Sequence, residues 1–264
     1  MKNNGLNRTF DTVSDVYEKM RPGYVDALYQ TIFEYKPTDN TSRVIEIGIG
    51  GGQATLPFLQ TGCELTAVDC GENFCARCRE KYKEYPNFSA IAKKFEDVAL
   101  ENDTYDLIYS ASAFHWISEE DGYKKVYDML KVGGAFARFA NHPYRDKGKP
   151  DLSAEMDRIY ADYYYKYHNK KPESPVEYTE RQALDRAFIA EKYGFADIQC
   201  RLFYRTRTFS AKEYVLLLGT YSDHIVIEKN VRNRFFSEIE NAINCHGGEI
   251  TVYDTIDLQL ARKI

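Results

Sequence analysis

The run Val44-Ile45-Glu46-Ile47-Gly48-Ile49-Gly50-Gly51-Gly52-Gln53-Ala54-Thr55 constrains this chain more than any other stretch. Its first residues are apolar and β-branched, which reads as a strand buried in a parallel sheet. Glycines interrupt it, and Ala54, Leu56, Phe58 and Leu59 then suggest a helix. Strand, glycine turn and helix make the layout of a nucleotide-binding βα unit. Without Cβ, such a turn can take positive φ and let a ligand lie against the backbone. The helix that follows opens with N–H groups that no preceding turn can satisfy.

The spacing says which nucleotide. A dinucleotide fingerprint, G-x-G-x-x-G, uses its third glycine to close helix on strand beside a pyrophosphate. Counted from Gly48 and Gly50, that position is Gln53; counted from Gly50 and Gly52, it is Thr55. What stands instead is Glu46-x-Gly48-x-Gly50-x-Gly52, with an acid at the strand end. The next apolar run, Leu65-Thr66-Ala67-Val68, ends in Asp69. An acid at a second strand tip, about 20 residues on, is placed for ribose hydroxyls. Ribose recognition without a pyrophosphate loop points to an adenosyl ligand.

Glu46-x-Gly48-x-Gly50-x-Gly52 followed by Asp69 resembles motif I and the acidic loop of class I S-adenosylmethionine-dependent methyltransferases. The resemblance continues through Phe95-Glu96-Asp97, Tyr105-Asp106-Leu107-Ile108, Ala113-Phe114-His115-Trp116 and Leu130-Lys131-x-Gly133-Gly134. The segments Phe10-Asp11…Tyr17…Arg21-Pro22-x-Tyr24 and Thr220-Tyr221-Ser222-x-His224 narrow it to the small-molecule branch that includes trans-aconitate-type methyltransferases. The resemblance implies a Rossmann-like, doubly wound, mostly parallel seven-stranded sheet with an antiparallel last strand. It also implies N-terminal helices and a helical lid insertion. The cofactor implied is S-adenosyl-L-methionine. Glu46, Gly48, Gly50, Gly52 and Asp69 would hold it, with Phe95 and Glu96 flanking the adenine and Ser110 near the sulfonium. Tyr17 and Arg21 match a family tyrosine and arginine near the methionyl end, where a guanidinium can grip a carboxylate by two parallel hydrogen bonds. Many relatives carry an aspartate just before Phe95; Lys94 stands there instead.

The 264 residues, 44% hydrophobic, suffice for one substantial core, and the expectation is a single domain. The net charge of −5 and the lack of a polybasic run disfavour a nucleic-acid partner. Residues 1–10 lack the apolar core of a signal peptide, and no apolar run approaches the ~20 residues of a membrane helix. Six cysteines without a signal favour a reducing compartment. The expectation is a cytoplasmic monomer or homodimer that does not bind membranes. Cys75-x-x-Cys78 reads as two thiols on one helix, since further metal ligands at compatible spacing are not evident.

The spacing predicts strands near 43–48, 64–69, 88–92, 105–110 and 135–140, and helices near 52–60, 72–83 and 118–131. Ser118 caps the last, acids follow it, and Gly133 closes it. Before them, 1–42 reads as N-terminal cap helices, with Ser14 as a cap. The core occupies 43–140. A lid insertion over 141–196 carries an aromatic stripe, Tyr160, Tyr163, Tyr164 and Tyr167, whose rings are mostly structural. The remainder, 197–264, completes the sheet: an alternating strand near 197–209, a helix capped by Ser210, a helix marked by Val231, Phe235, Ile239 and Ile243, and a last strand from Glu249 to Ala261.

His115 is the only obvious neutral-pH base in the core motifs. Its other reading is a partly buried histidine that orients its loop. Trp116, Tyr24 and Tyr221 are candidate substrate contacts, Trp116 also a packing residue. An Asn/Asp-Pro-Pro-aromatic turn, which would hold an exocyclic amine, is missing after the fourth strand. Methyl transfer to a small molecule, a carboxylate or hydroxyl, follows as the expected function. The rivals are a nicotinamide-dependent oxidoreductase and a non-catalytic adenosyl-binding protein.

Overall fold

The computed structural model describes residues 20–21, 23–145 and 148–264. Ser14 and Tyr17 lie outside the described residues. The order is α1 (Asp26–Tyr35), β1 (Arg43–Ile47), α2 (Thr55–Leu59), β2 (Glu64–Asp69), α3 (Glu72–Lys81), β3 (Phe88–Ala92), β4 (Tyr105–Ala111), α4 (Glu119–Met129) and β5 (Leu130–Arg145). There follow α5 (Pro150–Tyr160), α6 (Glu180–Ala187), β6 (Phe195–Ser210), α7 (Ala211–Leu218), α8 (Ser222–Ile225), α9 (Lys229–Cys245) and β7 (Glu249–Lys263). The seven strands lie in the order β3-β2-β1-β4-β5-β7-β6, mostly parallel, with β7 antiparallel. Parallel registers join Val44 to Leu65 and to Leu107, and Leu107 to Ala135. The chain doubles back at β1/β4, the switch point outside which open α/β sheets bind ligands.

Among the described residues the chain forms two compact units. One comprises Pro22–Asn141, Tyr178–Phe203 and Ile256–Ile264. Its sheet is covered on one face by a core containing Leu28, Phe58, Tyr109 and Phe139, and on the other by one containing Ile45, Phe114, Tyr123 and Phe136. Phe58 stacks on Tyr109 at 3.9 Å between centroids, which binds α2 to β4. The other comprises the described parts of Met1–Arg21, His142–Glu177 and Tyr204–Thr255. Its core gathers Leu152, Met156 and Ile159 of α5 with Phe235, Ile239 and Ile243 of α9. After α5 the helix widens into a π turn, Ala161–Tyr165.

Ser210 and Glu213 form a reciprocal capping box on α7, as the Ser210 cap requires. Gly194, left-handed at φ 87°, ends the helical stretch 180–193. Two expectations differ. Ser118 sits at the start of α4 but its side chain makes no capping bond, and Gly133 turns inside β5 because the helix already ends at Met129. Among the described residues no helix is long and apolar enough to cross a membrane.

Gly122, inside α4, is required by packing. A Cβ there would stand 2.8 Å from Phe114 Cζ and 3.1 Å from Ile117 Cγ2. Gly122→Ala is therefore expected to lose about 1–3 kcal/mol in urea unfolding, although alanine is the better helix former.

Candidate cofactor and active site

The β1–α2 corner is built by close approach. Gly48 takes φ 78°, and a Cβ there would lie 2.2 Å from the Ala113 Cβ. The corner after β1 is thus pressed against the corner after β4. Helix α3 grips the glycine loop by its carbonyls. Cys78 Sγ donates to Gly50 O (3.4 Å), Lys81 Nζ to Gly51 O (3.1 Å) and the Tyr82 hydroxyl to Gly52 O (2.7 Å). Burial keeps the Cys78 thiol protonated and so able to donate. Sequence reading found the two thiols but not this grip, because the contacts span about a helix and a strand of intervening chain.

Asp69, at the tip of β2, accepts from Gly50 N on one oxygen (3.0 Å) and Gly71 N on the other (2.8 Å). Its carboxylate is thereby fixed in place by two backbone donors. Three of the expected cofactor residues make contacts within the protein. The Glu46 carboxyl is 1% exposed and accepts from the Thr55 hydroxyl at 2.7 Å, which locks β1 to α2. Ser110 is fully buried and donates to Ile47 O at 2.9 Å, joining β4 to β1. The Phe95 ring lies in the core, and its carbonyl accepts from Lys125 Nζ. Lys125 reaches the carbonyls of Glu96 and Val98 as well, pinning the 95–98 turn to α4. Glu96 is exposed at that turn. Nothing in the spacing marks Lys125, which reads as an ordinary helix-surface charge.

The exposed serine of the β4 corner is Ser112. It is left-handed at φ 55°, a conformation that costs a residue with Cβ about 1–3 kcal/mol and that clusters at functional sites. Tyr24 meets it hydroxyl to hydroxyl at 2.8 Å, and Asn141 N donates to its Oγ at 3.4 Å. His115 is exposed rather than partly buried, and its ring lies against Trp116 at 4.9 Å.

The remaining candidates lie in the other unit. Arg21 donates to the Thr220 hydroxyl and carbonyl and stacks over the Tyr221 ring at 4.1 Å. The turn they hold is pinned from several sides: Tyr164 donates to Asp223, and Tyr167 to Val226 O. His224 joins Asp223 at 2.8 Å and the Tyr160 hydroxyl at 3.2 Å.

A parallel sheet with its switch point at β1/β4, a three-glycine corner and a fixed acid at the tip of β2 are the parts in which this chain resembles class I S-adenosylmethionine-dependent methyltransferases. A family model described as a methyltransferase domain matches residues 44–134, the stretch that holds all of these parts. An uncharacterised methyltransferase of Schizosaccharomyces pombe is 23% identical over 90% of this chain and 88% of its own. A malonyl-[acyl-carrier protein] O-methyltransferase of Ilyobacter polytropus is 25% identical over 70% of this chain and 68% of its own. A structure described as a type II methyltransferase from Anaeromyxobacter dehalogenans shares the fold at TM-score 0.66 and 21% identity, covering 92% of this chain and 97% of that one. The nicotinamide reading is thereby set aside.

Burial pushes the Glu46 carboxyl up to about 8 from its ordinary 4.5, against the lowering pull of the Thr55 hydroxyl. Between those values the folded chain keeps a proton that the unfolded chain releases. Stability from this group is therefore present at low pH and declines as pH rises toward about 8. Glu46→Gln cannot ionise. Its urea midpoint is expected to gain on the wild type steadily across that window; a constant gap would mean Glu46 is ionised in the fold.

Proposed function

We propose that the chain transfers a methyl group from S-adenosylmethionine to a small-molecule acceptor through a carboxylate or hydroxyl oxygen. The observation that carries this reading is the corner itself: Gly48 packed on Ala113, with Asp69 fixed beside it. The residues fit the cofactor. Gly48 lets the two corners close on each other, the glycine loop puts no side chain in a ligand's way, and Asp69 stands fixed at the tip of β2. When bound, the cofactor supplies a methyl group on positively charged sulfur, ready for in-line displacement. The protein's part is then alignment and exclusion of water.

In this reading the backbone at Gly48, Gly50 and Gly52 carries the ligand, Asp69 takes the ribose, and the Phe95–Glu96 backbone borders the adenine. Glu46 and Ser110 act from behind, by holding β1 to α2 and to β4. Arg21 and Tyr221 are assigned to an anionic group of a ligand, a role that a guanidinium stacked on an aromatic ring suits. Tyr17 and the trans-aconitate-type branch stay within this proposal. An oxygen acceptor is favoured because the segment after β4 is Ser112-Ala113-Phe114-His115, without the Asn/Asp-Pro-Pro-aromatic turn. The relative acting on a malonyl group points the same way. A carboxylate acceptor needs no base; for a hydroxyl, exposed His115 could take the proton.

Transfer of isotope from methyl-labelled cofactor into a metabolite extract tests the activity, and failure to label any small acid or alcohol across diverse extracts would count decisively against it. Asp69→Asn is expected to weaken S-adenosylhomocysteine binding about 10- to 100-fold by calorimetry, the loss of charge-assisted ribose hydrogen bonds. Unchanged affinity would remove Asp69 from the site.

A further inference from the structure

We propose that the hydroxyls of Ser112 and Tyr24 face the methyl-bearing sulfur of the cofactor and make the site distinguish S-adenosylmethionine from its demethylated product. The proposal rests on the cofactor reading above.

The case is one of placement. With adenosine anchored at Asp69 beyond β2, the ligand's other end must run across the β1 corner toward β4, because the crevice lies at their switch point. Two contacts bound that end. On the inner side, Gly48 is packed on Ala113. On the outer side, residues 23 and 24 bridge the mouth. A Cβ at Gly23 would sit 3.4 Å from Gln53 O in the glycine loop, and the Tyr24 hydroxyl reaches Ser112 at 2.8 Å. Ser112 follows β4 directly and is exposed, whereas Ser110, two residues earlier, is buried on Ile47 O.

The chemistry of the pair fits a polarised methyl group. Whichever hydroxyl donates in the Ser112–Tyr24 bond, the pair presents oxygen lone pairs and no formal charge. Hydrogens on a methyl group attached to positive sulfur are acidic enough for C–H···O contacts, each of modest strength. Neutral thioether sulfur, without the methyl, offers nothing equivalent. The left-handed backbone of Ser112 has a consequence as well. Glycine would adopt φ 55° without strain, so a serine there is retained against local preference. Its side chain is held by Tyr24 and by Asn141 N, so the oxygen is pre-aimed. Phe139 fixes the Tyr24 ring edge-on at 4.7 Å.

The test is calorimetry of the full chain with S-adenosylmethionine and, separately, S-adenosylhomocysteine. The proteins are the wild type, Ser112→Gly, Tyr24→Phe and the double variant. Ser112→Gly removes the hydroxyl while suiting the backbone, and its thermal midpoint is expected to be equal or higher. Each single variant should weaken the methylated ligand about two- to fivefold relative to the demethylated one. The double variant should show less than the product of the two, since the hydroxyls share one bond. Equal weakening of both ligands would reduce the pair to structural support and overturn the proposal, as would an unchanged ratio. Wild type that binds neither ligand would instead bring down the cofactor reading on which it stands.

Discussion

The grip of α3 on the glycine loop is the interaction on which the site depends. A run with three glycines in a row has the largest conformational entropy to lose on folding. Here successive carbonyls, Gly50, Gly51 and Gly52, each accept a hydrogen bond from one helix. The three donors differ in chemistry: a thiol, an ammonium and a phenol. With their carbonyls turned toward α3, the peptides of the loop are fixed in orientation before any ligand arrives. The Tyr82 ring sits so near Gly52 that a Cβ there would lie 2.9 Å from the hydroxyl. One of the three glycines is thus dictated by packing of the protein on itself, and Gly48 by packing on Ala113. Ligand access and internal packing ask for the same residue type, which is why the motif is so sharply written in the sequence.

Asp69 belongs to the same construction. It receives Gly50 N and Gly71 N, so one carboxylate closes the loop from the β2 side while α3 closes it from the other. Backbone donors on either side hold the acid in one orientation. A surface ion pair could not have served, since it would hold the group loosely and be screened by salt.

The strands, the helices and the glycine corner were legible because they rest on short-range periodicity and on residue types with special backbone freedom. The division of labour between Ser110 and Ser112 was not. Strand β4 is buried on both faces from Leu107 to Ser110, so alternation gives no hint of which serine is exposed. Lys125 was invisible for another reason: a lysine on an amphipathic helix looks the same whether it meets water or three carbonyls. Ser118 shows the converse. A residue with the right identity at the right position makes no capping bond with its side chain; its backbone carbonyl accepts the ordinary first helical bond from Gly122 N, and acids at Glu119, Glu120 and Asp121 offset the helix dipole.

Glu46 shows how the corner limits its own charge. The acid is buried near Asp69, whose negative charge adds to desolvation in favouring the protonated form. Both influences favour the protonated over the ionised form of Glu46. A second anion at that depth would have to be paired or hydrated, and desolvation is the largest influence on Glu46. The Glu46 carboxyl accepts from Thr55, and the Tyr109 hydroxyl, which acts on the same acid, closes no well-formed bond of its own. Within the fold Glu46 braces β1 to α2 through the Thr55 hydroxyl. The ionised acid is left where β2 ends, at the edge of the groove.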